Sequence, residues 1–205
     1  MHLSKYLSAC VATVAAAATG GFARARRTGV RRLLAGLLLA GTAWAAAPFS
    51  EYQVKAVYLF NFGQFVEWPE DAFASPSSPF VICIVGKDPF DGMLENVVRG
   101  ESLGAHPIEV QQHPSAGEAK HCNILFVGRA EAARLPETVA ALRGRSVLTV
   151  TDVAGGEREG AMIVLVTENN RVRMRINPSA AKASRLTISS KLLRPAEIVG
   201  PGGGP

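Results

Sequence analysis

The side chains that most readily do chemistry are few in this chain, and their spacing argues against a metal site. Beyond residue 45 the histidines are His106, His113 and His121, and the cysteines are Cys83 and Cys122. None of the histidines has a second ligand at helical or zinc-finger spacing. His121 and Cys122 are adjacent, so on a strand their side chains point to opposite faces and cannot share an ion. We therefore predict no metal site.

The sequence motifs of several common enzyme classes do not occur either. The chain contains no H-E-x-x-H motif, no C-x-x-C pair and no phosphate-loop signature. No nucleophile with a nearby base can be recognised from the residue order. We therefore predict that the protein is not an enzyme and needs no cofactor.

Polar residues that follow three apolar runs are the best candidates for a ligand pocket. Lys87 and Asp88 follow FVICIV, Arg129 follows NILFV, and Asp152 follows SVLTVT. Open α/β sheets bind ligands at the carboxyl ends of their strands, where these side chains would lie. The alternative is local: Asp88 before Pro89 also suits a helix N-terminus, and Arg129 also suits a solvated position.

The elements that would carry these residues alternate between strands and helices. Predicted strands cover residues 80–85, 107–111, 123–127, 146–151, 162–166 and 171–176, and predicted helices cover about 50–66, 89–99, 130–142 and 178–185. This order is typical of βαβ units, so we predict a single α/β domain with a mostly parallel sheet flanked by helices. The last two strands would form an antiparallel hairpin at one edge.

The two remaining cysteines fall on predicted strands. Cys83 lies inside the first strand and Cys122 at the start of the third. If these strands are neighbours in the sheet, the two sulfurs can meet, and closing a loop of about 40 residues would stabilise the fold by roughly 4 kcal/mol. A structural bridge and a redox-sensitive switch both remain open.

The first helix, which contains YLFNFGQFVEWP (58–69), has apolar residues on two sides. A helical wheel places Val54, Tyr58, Leu59, Phe62, Phe65 and Val66 on one broad face, and Ala56, Val57 and Phe60 on another. We predict that the first face is core. The second must be covered by neighbouring elements, by a partner or by a second copy of the chain. Val57, Phe60 and the following Trp68 are therefore candidate partner-binding residues.

A basic stripe marks the last predicted strand. Arg171, Arg173 and Arg175 alternate with apolar residues, so their side chains share one face. Such a stripe protects an edge strand from aggregation, or it docks a partner.

The N-terminus has the features of an export segment. An arginine-rich stretch precedes the short apolar run LLAGLLL, and Ala43-Trp44-Ala45 fits the cleavage rule. We predict a signal peptide over 1–45, a folded domain over 46–199 and a flexible tail over 200–205; initiation near Val30 is an alternative start. Without the six basic residues of the export segment, the chain has 16 basic and 17 acidic residues. This balance argues against nucleic-acid binding.

Several segments, taken in order, resemble the YfiR family of periplasmic proteins. They are EYQVKAVYLFNFGQFVEWP, PFVICIVGKDPFDGMLE, CNILFVG, SVLTVTD, NNRVRMRIN and ISSKLLR, and they extend from about residue 51 to residue 199. The resemblance implies an α/β regulator that represses an inner-membrane diguanylate cyclase of the YfiN type by protein binding. A sensor kinase is the alternative target. An outer-membrane lipoprotein that sequesters the repressor is a further implied partner.

The resemblance also bears on the cysteines. Family members commonly have a disulfide, and Cys83 and Cys122 stand at its positions. The second cysteine pair of some members is missing from this chain.

The alternative function is a periplasmic protein that binds a small ligand and serves a transporter or a sensor.

Overall fold

The computed structural model describes residues 50–119 and 121–200. The predicted signal peptide and residues 201–205 of the predicted tail lie outside them. Helices are α1 Glu51–Phe65, α2 Met93–Val98, α3 Leu135–Ala141, α4 Pro178–Ala183 and α5 Ser190–Leu193, with 3-10 helices at Glu70–Ala72 and Arg129–Arg134. Strands are β1 Val66–Glu67, β2 Phe80–Val85, β3 Ser102–Leu103, β4 His106–His113, β5 Ile124–Val127, β6 Leu148–Thr151, β7 Ile163–Glu168, β8 Arg171–Ile176, β9 Thr187–Ile188 and β10 Glu197–Ile198. No helix within these residues is long and apolar enough to span a bilayer.

Eight strands form one sheet, in the order β10-β8-β7-β6-β5-β2-β4-β3. Five neighbouring pairs are parallel: β2–β4, β2–β5, β5–β6, β6–β7 and β8–β10. The pairs β7–β8 and β3–β4 are antiparallel. β1 and β9 form a separate two-stranded ladder. The predicted fold class, a mostly parallel sheet with a C-terminal hairpin, is confirmed.

The predicted hairpin forms because its turn has the right residues. Asn169 and Asn170 both have positive φ, 50° and 58°, which a two-residue turn between twisted strands requires and asparagine tolerates. The hairpin does not form the outer edge along its whole length, because β10 lies beside the end of β8.

Helices cover the sheet on both faces. The aromatic residues of α1 pack with α2, α4 and α5 on one face, and α3 packs over both cysteines on the other. The central strands β2, β5 and β6 are buried at every position, which explains their continuous apolar sequence.

Two helices are shorter than their patterns predict. Asp88 does not cap a helix; it accepts hydrogen bonds from the N–H groups of Phe90 (2.8 Å) and Gly92 (3.4 Å) in a local turn. Gly92 has a φ of 75°, and α2 begins only after it. The predicted helix over 130–142 is a 3-10 helix with a kink at Glu131, followed by α3.

The predicted division of α1 is partly wrong. The helix begins where the sequence predicts, after Ser50, whose side chain forms a reciprocal capping box with Gln53. Phe62 is fully buried as expected, but Phe60 is also buried at 7% exposure and belongs to the same core. Tyr58 and Phe65, which were expected in the core, are half-buried. The buried side of α1 is therefore formed by Ala56, Leu59, Phe60 and Phe62.

Candidate functional site

Two of the four predicted pocket residues meet at the carboxyl ends of the strands, and α1 joins them there. Arg129 follows β5, and Asp152 follows β6, the neighbouring parallel strand. The N-terminal part of α1 places Glu51, Tyr52 and Lys55 against them. We call these five residues the Asp152 network.

Asp152 accepts hydrogen bonds on both carboxylate oxygens. Its Oδ1 accepts the backbone N–H of Arg129 at 2.7 Å. Its Oδ2 accepts from Lys55 Nζ at 2.6 Å, from the Tyr52 hydroxyl at 3.0 Å and from Arg129 Nε at 3.2 Å. Glu51 completes the network by pairing with both Lys55 and Arg129. The network therefore ties α1 to the end of the sheet.

Burial makes this network important for stability. The side chains of Lys55 and Asp152 are both 0% exposed. A charge taken out of water is tolerated only when its partners compensate for the lost hydration. In this network the compensating partners all come from the chain itself.

The network also shifts proton affinities. Burial, followed by the charge and the hydrogen bond of Asp152, raises the pKa of Tyr52 to about 12. Burial opposes ionisation of Glu51, but interactions with Lys55, Thr167 and Arg129 outweigh it, so the pKa of Glu51 falls below its usual 4.5. Since the folded-state pKa is depressed, the stabilisation from Glu51 is present above about pH 4.5 and is lost as the pH falls below it.

Sequence reasoning missed the contribution of α1 to this network. Glu51 and Lys55 stand four residues apart, a spacing that predicts an ion pair on a helix. Lys55 also precedes Leu59 by one turn and Phe62 by two, so the apolar periodicity placed it on the buried side. A lysine in such a position predicts a buried counter-ion.

The other two predicted pocket residues lie elsewhere. Asp88 serves the local turn already described, and Lys87 is exposed beside Gln112 and Arg134 in a shallow depression. The four residues therefore do not form one pocket.

The candidate partner-binding residues divide into exposed and structural groups. Val57 is 47% exposed and lies in a shallow apolar depression with Val54 and Tyr58, which we call the α1 outer face. Phe60 is core, so it is not available to a partner. Trp68 is half-buried; its ring packs edge-on against Phe80 with centroids 4.9 Å apart, and its indole N–H donates to the Asn123 carbonyl.

The basic stripe of β8 is likewise divided. Arg171 and Arg173 are exposed. Arg175 is paired with Glu197 at 3.0 Å, with Glu168 at 3.2 Å and with Glu157 at 3.6 Å. Only the first two arginines keep their guanidinium groups available at the surface.

Cys83 and Cys122 form a disulfide, with Cα atoms 5.8 Å apart. The bridge forms because β2 and β5 are neighbours, with Ile82 opposite Ile124. The ring of His113 approaches both sulfurs, and the three ligand atoms lie within 4.8 Å of one another. Sulfurs bonded to each other are not thiolates, so this group does not offer a metal the ligands it needs.

Replacing Cys83 or Cys122 by serine should lower the free energy of unfolding by about 2–5 kcal/mol, since the bridge closes a long loop in the unfolded chain. Urea denaturation of the oxidised protein and of each variant measures the loss. Reduction of the wild-type protein should produce a similar loss. A wild-type protein whose stability is unchanged by reduction would show that the bridge contributes nothing.

A sequence motif of serine hydrolases also occurs, but the secondary structure around it differs from the one that the motif requires. Residues 100–104 read GESLG, which matches G-x-S-x-G. That motif works when the serine sits on a sharp turn from a strand into a helix. Ser102 instead lies in β3 and pairs with Pro107 of the antiparallel β4. The fold therefore gives Ser102 no nucleophile elbow.

Comparison with known proteins assigns nearly all of the folded domain to one protein family. A family model described as YfiR/HmsC-like matches residues 52–197. The match includes both cysteines, Asp152 and the β7–β8 hairpin. No curated protein matches the chain.

Proposed function

Because the chain belongs to the YfiR/HmsC-like family, we propose that it is a periplasmic regulator of cyclic di-GMP signalling that represses an inner-membrane enzyme by binding it. The proposed target is a diguanylate cyclase of the YfiN type, with a sensor kinase as the alternative. The observation that carries the proposal is the family match over nearly all of the folded domain. Sequestration by an outer-membrane lipoprotein is part of the same proposal.

Features of the site support binding rather than catalysis. Arg129 and Asp152, which follow β5 and β6, are engaged in the Asp152 network, so they hold the fold together. The disulfide suits an oxidising compartment. The α1 outer face offers apolar area for a partner or for a second copy of the chain. A regulator of this kind acts by binding one state of its target more tightly than the other.

A second candidate function, small-ligand binding, has one observation in its favour. A cavity of about 500 Å³ lies between the end of α3 and α4, and Thr149, Glu157 and Asn177 line it. Its size is typical of small-molecule sites. Among the described residues, Glu157 Oε2 is a buried atom with no hydrogen-bond partner. A panel of cationic and hydroxylated metabolites tests this candidate, because a ligand that binds the folded state raises the melting temperature.

Deleting the gene should raise cyclic di-GMP and biofilm formation, because the target enzyme would lose its repressor. Restoring the exported protein should return both to their original levels. A version without residues 1–45 is the matched control: it keeps the folded domain but lacks the predicted export segment, and it should fail to restore repression. Unchanged cyclic di-GMP and unchanged sensor-kinase output in the deletion strain would contradict the proposal.

A further inference from the structure

Strand β8 is paired on its outer side over only part of its length. β10 lies parallel to it and pairs with its last two residues, Glu197 with Arg175 and Ile198 with Ile176. In the sheet of the described residues, no strand other than β10 lies on this side. The segment from Arg171 to Met174 therefore presents a sheet edge.

The main chain of this edge is oriented for pairing. Ile176 accepts the N–H of Val199 at 2.8 Å, so its carbonyl points toward the β10 side. Alternate residues of a strand in an antiparallel pair direct their main-chain groups to the same side. Val172 therefore directs its N–H and C=O groups outward, and Met174 its N–H, where an added strand could bond to them. The C=O of Met174 already accepts the N–H of Glu197 in the parallel ladder with β10.

The side chains of the same segment specify the charge of such a strand. Arg171 and Arg173 are exposed, and within residues 50–119 and 121–200 the ion pairs of β8 are confined to Arg175. β10 already shows the favourable register: its Glu197 stands directly opposite Arg175 and pairs with it. Continuing that parallel register along β8 places alternate residues of an added strand opposite Arg173 and Arg171.

The other edge of the sheet has the opposite character. β3 pairs with His106 and Pro107 of β4, and the Glu101 carbonyl accepts the N–H of Ile108, so β4 has an open side only beyond Ile108. This stretch, 109–113, contains Glu109 and neither lysine nor arginine. An acidic strand is thus repelled by the β4 edge and attracted by the β8 edge.

We propose that Arg171–Met174 is a docking edge for an extended acidic segment of a protein partner, which adds to the sheet parallel to β8 with carboxylates at alternate positions facing Arg171 and Arg173. Main-chain hydrogen bonds to both groups of Val172 and to the N–H of Met174 hold the segment, and the two arginines select its charge. The identification of that partner with the regulated membrane enzyme rests on the function proposed above; the docking edge itself does not.

Peptide binding to the complete folded domain tests the chemistry. A fluorescent Val-Glu-Val-Glu-Val-Glu-Val peptide should bind, and replacing its glutamates by lysine should abolish binding. N-methylation of the glutamates should also abolish it, because in the β10 register those N–H groups face β8, whereas N-methylation of the inner valines should be tolerated. Equal binding of the two N-methylated peptides would overturn strand addition, and no binding of the acidic peptide would overturn the proposal.

Protein variants locate the site. Arg171→Glu with Arg173→Glu should weaken binding by about tenfold or more, since two exposed ion pairs are lost and become repulsive. Arg143→Glu with Arg145→Glu is the matched control, with the same charge change and spacing on another surface, and should have little effect. Bound peptide should slow hydrogen exchange at Val172 and Met174. Slowing at β4 instead, or equal effects of the two double variants, would overturn the proposal.

Cellular complementation separates this inference from the proposed function. If the Arg171/Arg173 double variant fails to restore repression while the Arg143/Arg145 variant succeeds, the docking edge serves the regulator. If both restore repression fully, the docking edge is not the regulatory surface and the proposed function stands. If deletion itself changes nothing while the peptide binds at β8, the edge stands and the regulatory function falls.

Discussion

Asp152→Ala should lower the free energy of unfolding by about 3–5 kcal/mol, which is the range for removing one partner of a buried ion pair. Lys55 would then keep only Glu51, whose side chain is 29% exposed, while its own side chain stays fully buried. The backbone N–H of Arg129 would also lose its acceptor. Urea denaturation monitored by tryptophan fluorescence measures the change.

Two further variants show whether the loss comes from the buried charge. Lys55→Met together with Asp152→Ala removes both charges, so the pair should cost less than the sum of the two single changes. Asp88→Ala is the matched control, because this aspartate also follows a strand but bonds only to a local turn. A loss at Asp152 no larger than the loss at Asp88 would show that the network contributes little to stability.

Phe60→Ala and Phe62→Ala should both destabilise the fold by about 3–5 kcal/mol, as truncations of core aromatic residues do. Both side chains are buried in the same cluster, Phe62 at 0% and Phe60 at 7% exposure. Val57→Ala, at an exposed position of α1, should change stability by less than about 1 kcal/mol. Denaturation of the three variants gives the comparison.

Self-association and partner binding of the same variants complete this test. If the α1 outer face is the docking surface, Val57→Ala should weaken association while leaving the melting temperature nearly unchanged. A stable Phe60→Ala protein would contradict the burial of that ring, and the side of α1 that faces the sheet would have to be reassigned.

The strands and their order of occurrence could be predicted from the sequence because their signal is local. Continuous apolar runs such as FVICIV are required of strands that are covered on both faces, and β2 and β5 are buried at every residue. The capping box at Ser50 and the Asn169–Asn170 turn are equally local. The sequence thus predicted an α/β domain with a C-terminal hairpin, and it brought Cys83 and Cys122 to strands that could be neighbours.

Only the tertiary structure decided which surfaces are buried and which are available. α1 is apolar on two sides, so its periodicity could not choose between Phe60 and Tyr58 for the core; packing against the sheet made that choice. Lys55 and Asp152 are 97 residues apart, and their pairing depends on where α1 meets the end of β6. The open side of β8 likewise depends on β10 reaching only Arg175 and Ile176. Burial and pairing of this kind arise from contacts between distant segments, whereas propensity and periodicity report only on neighbours along the chain.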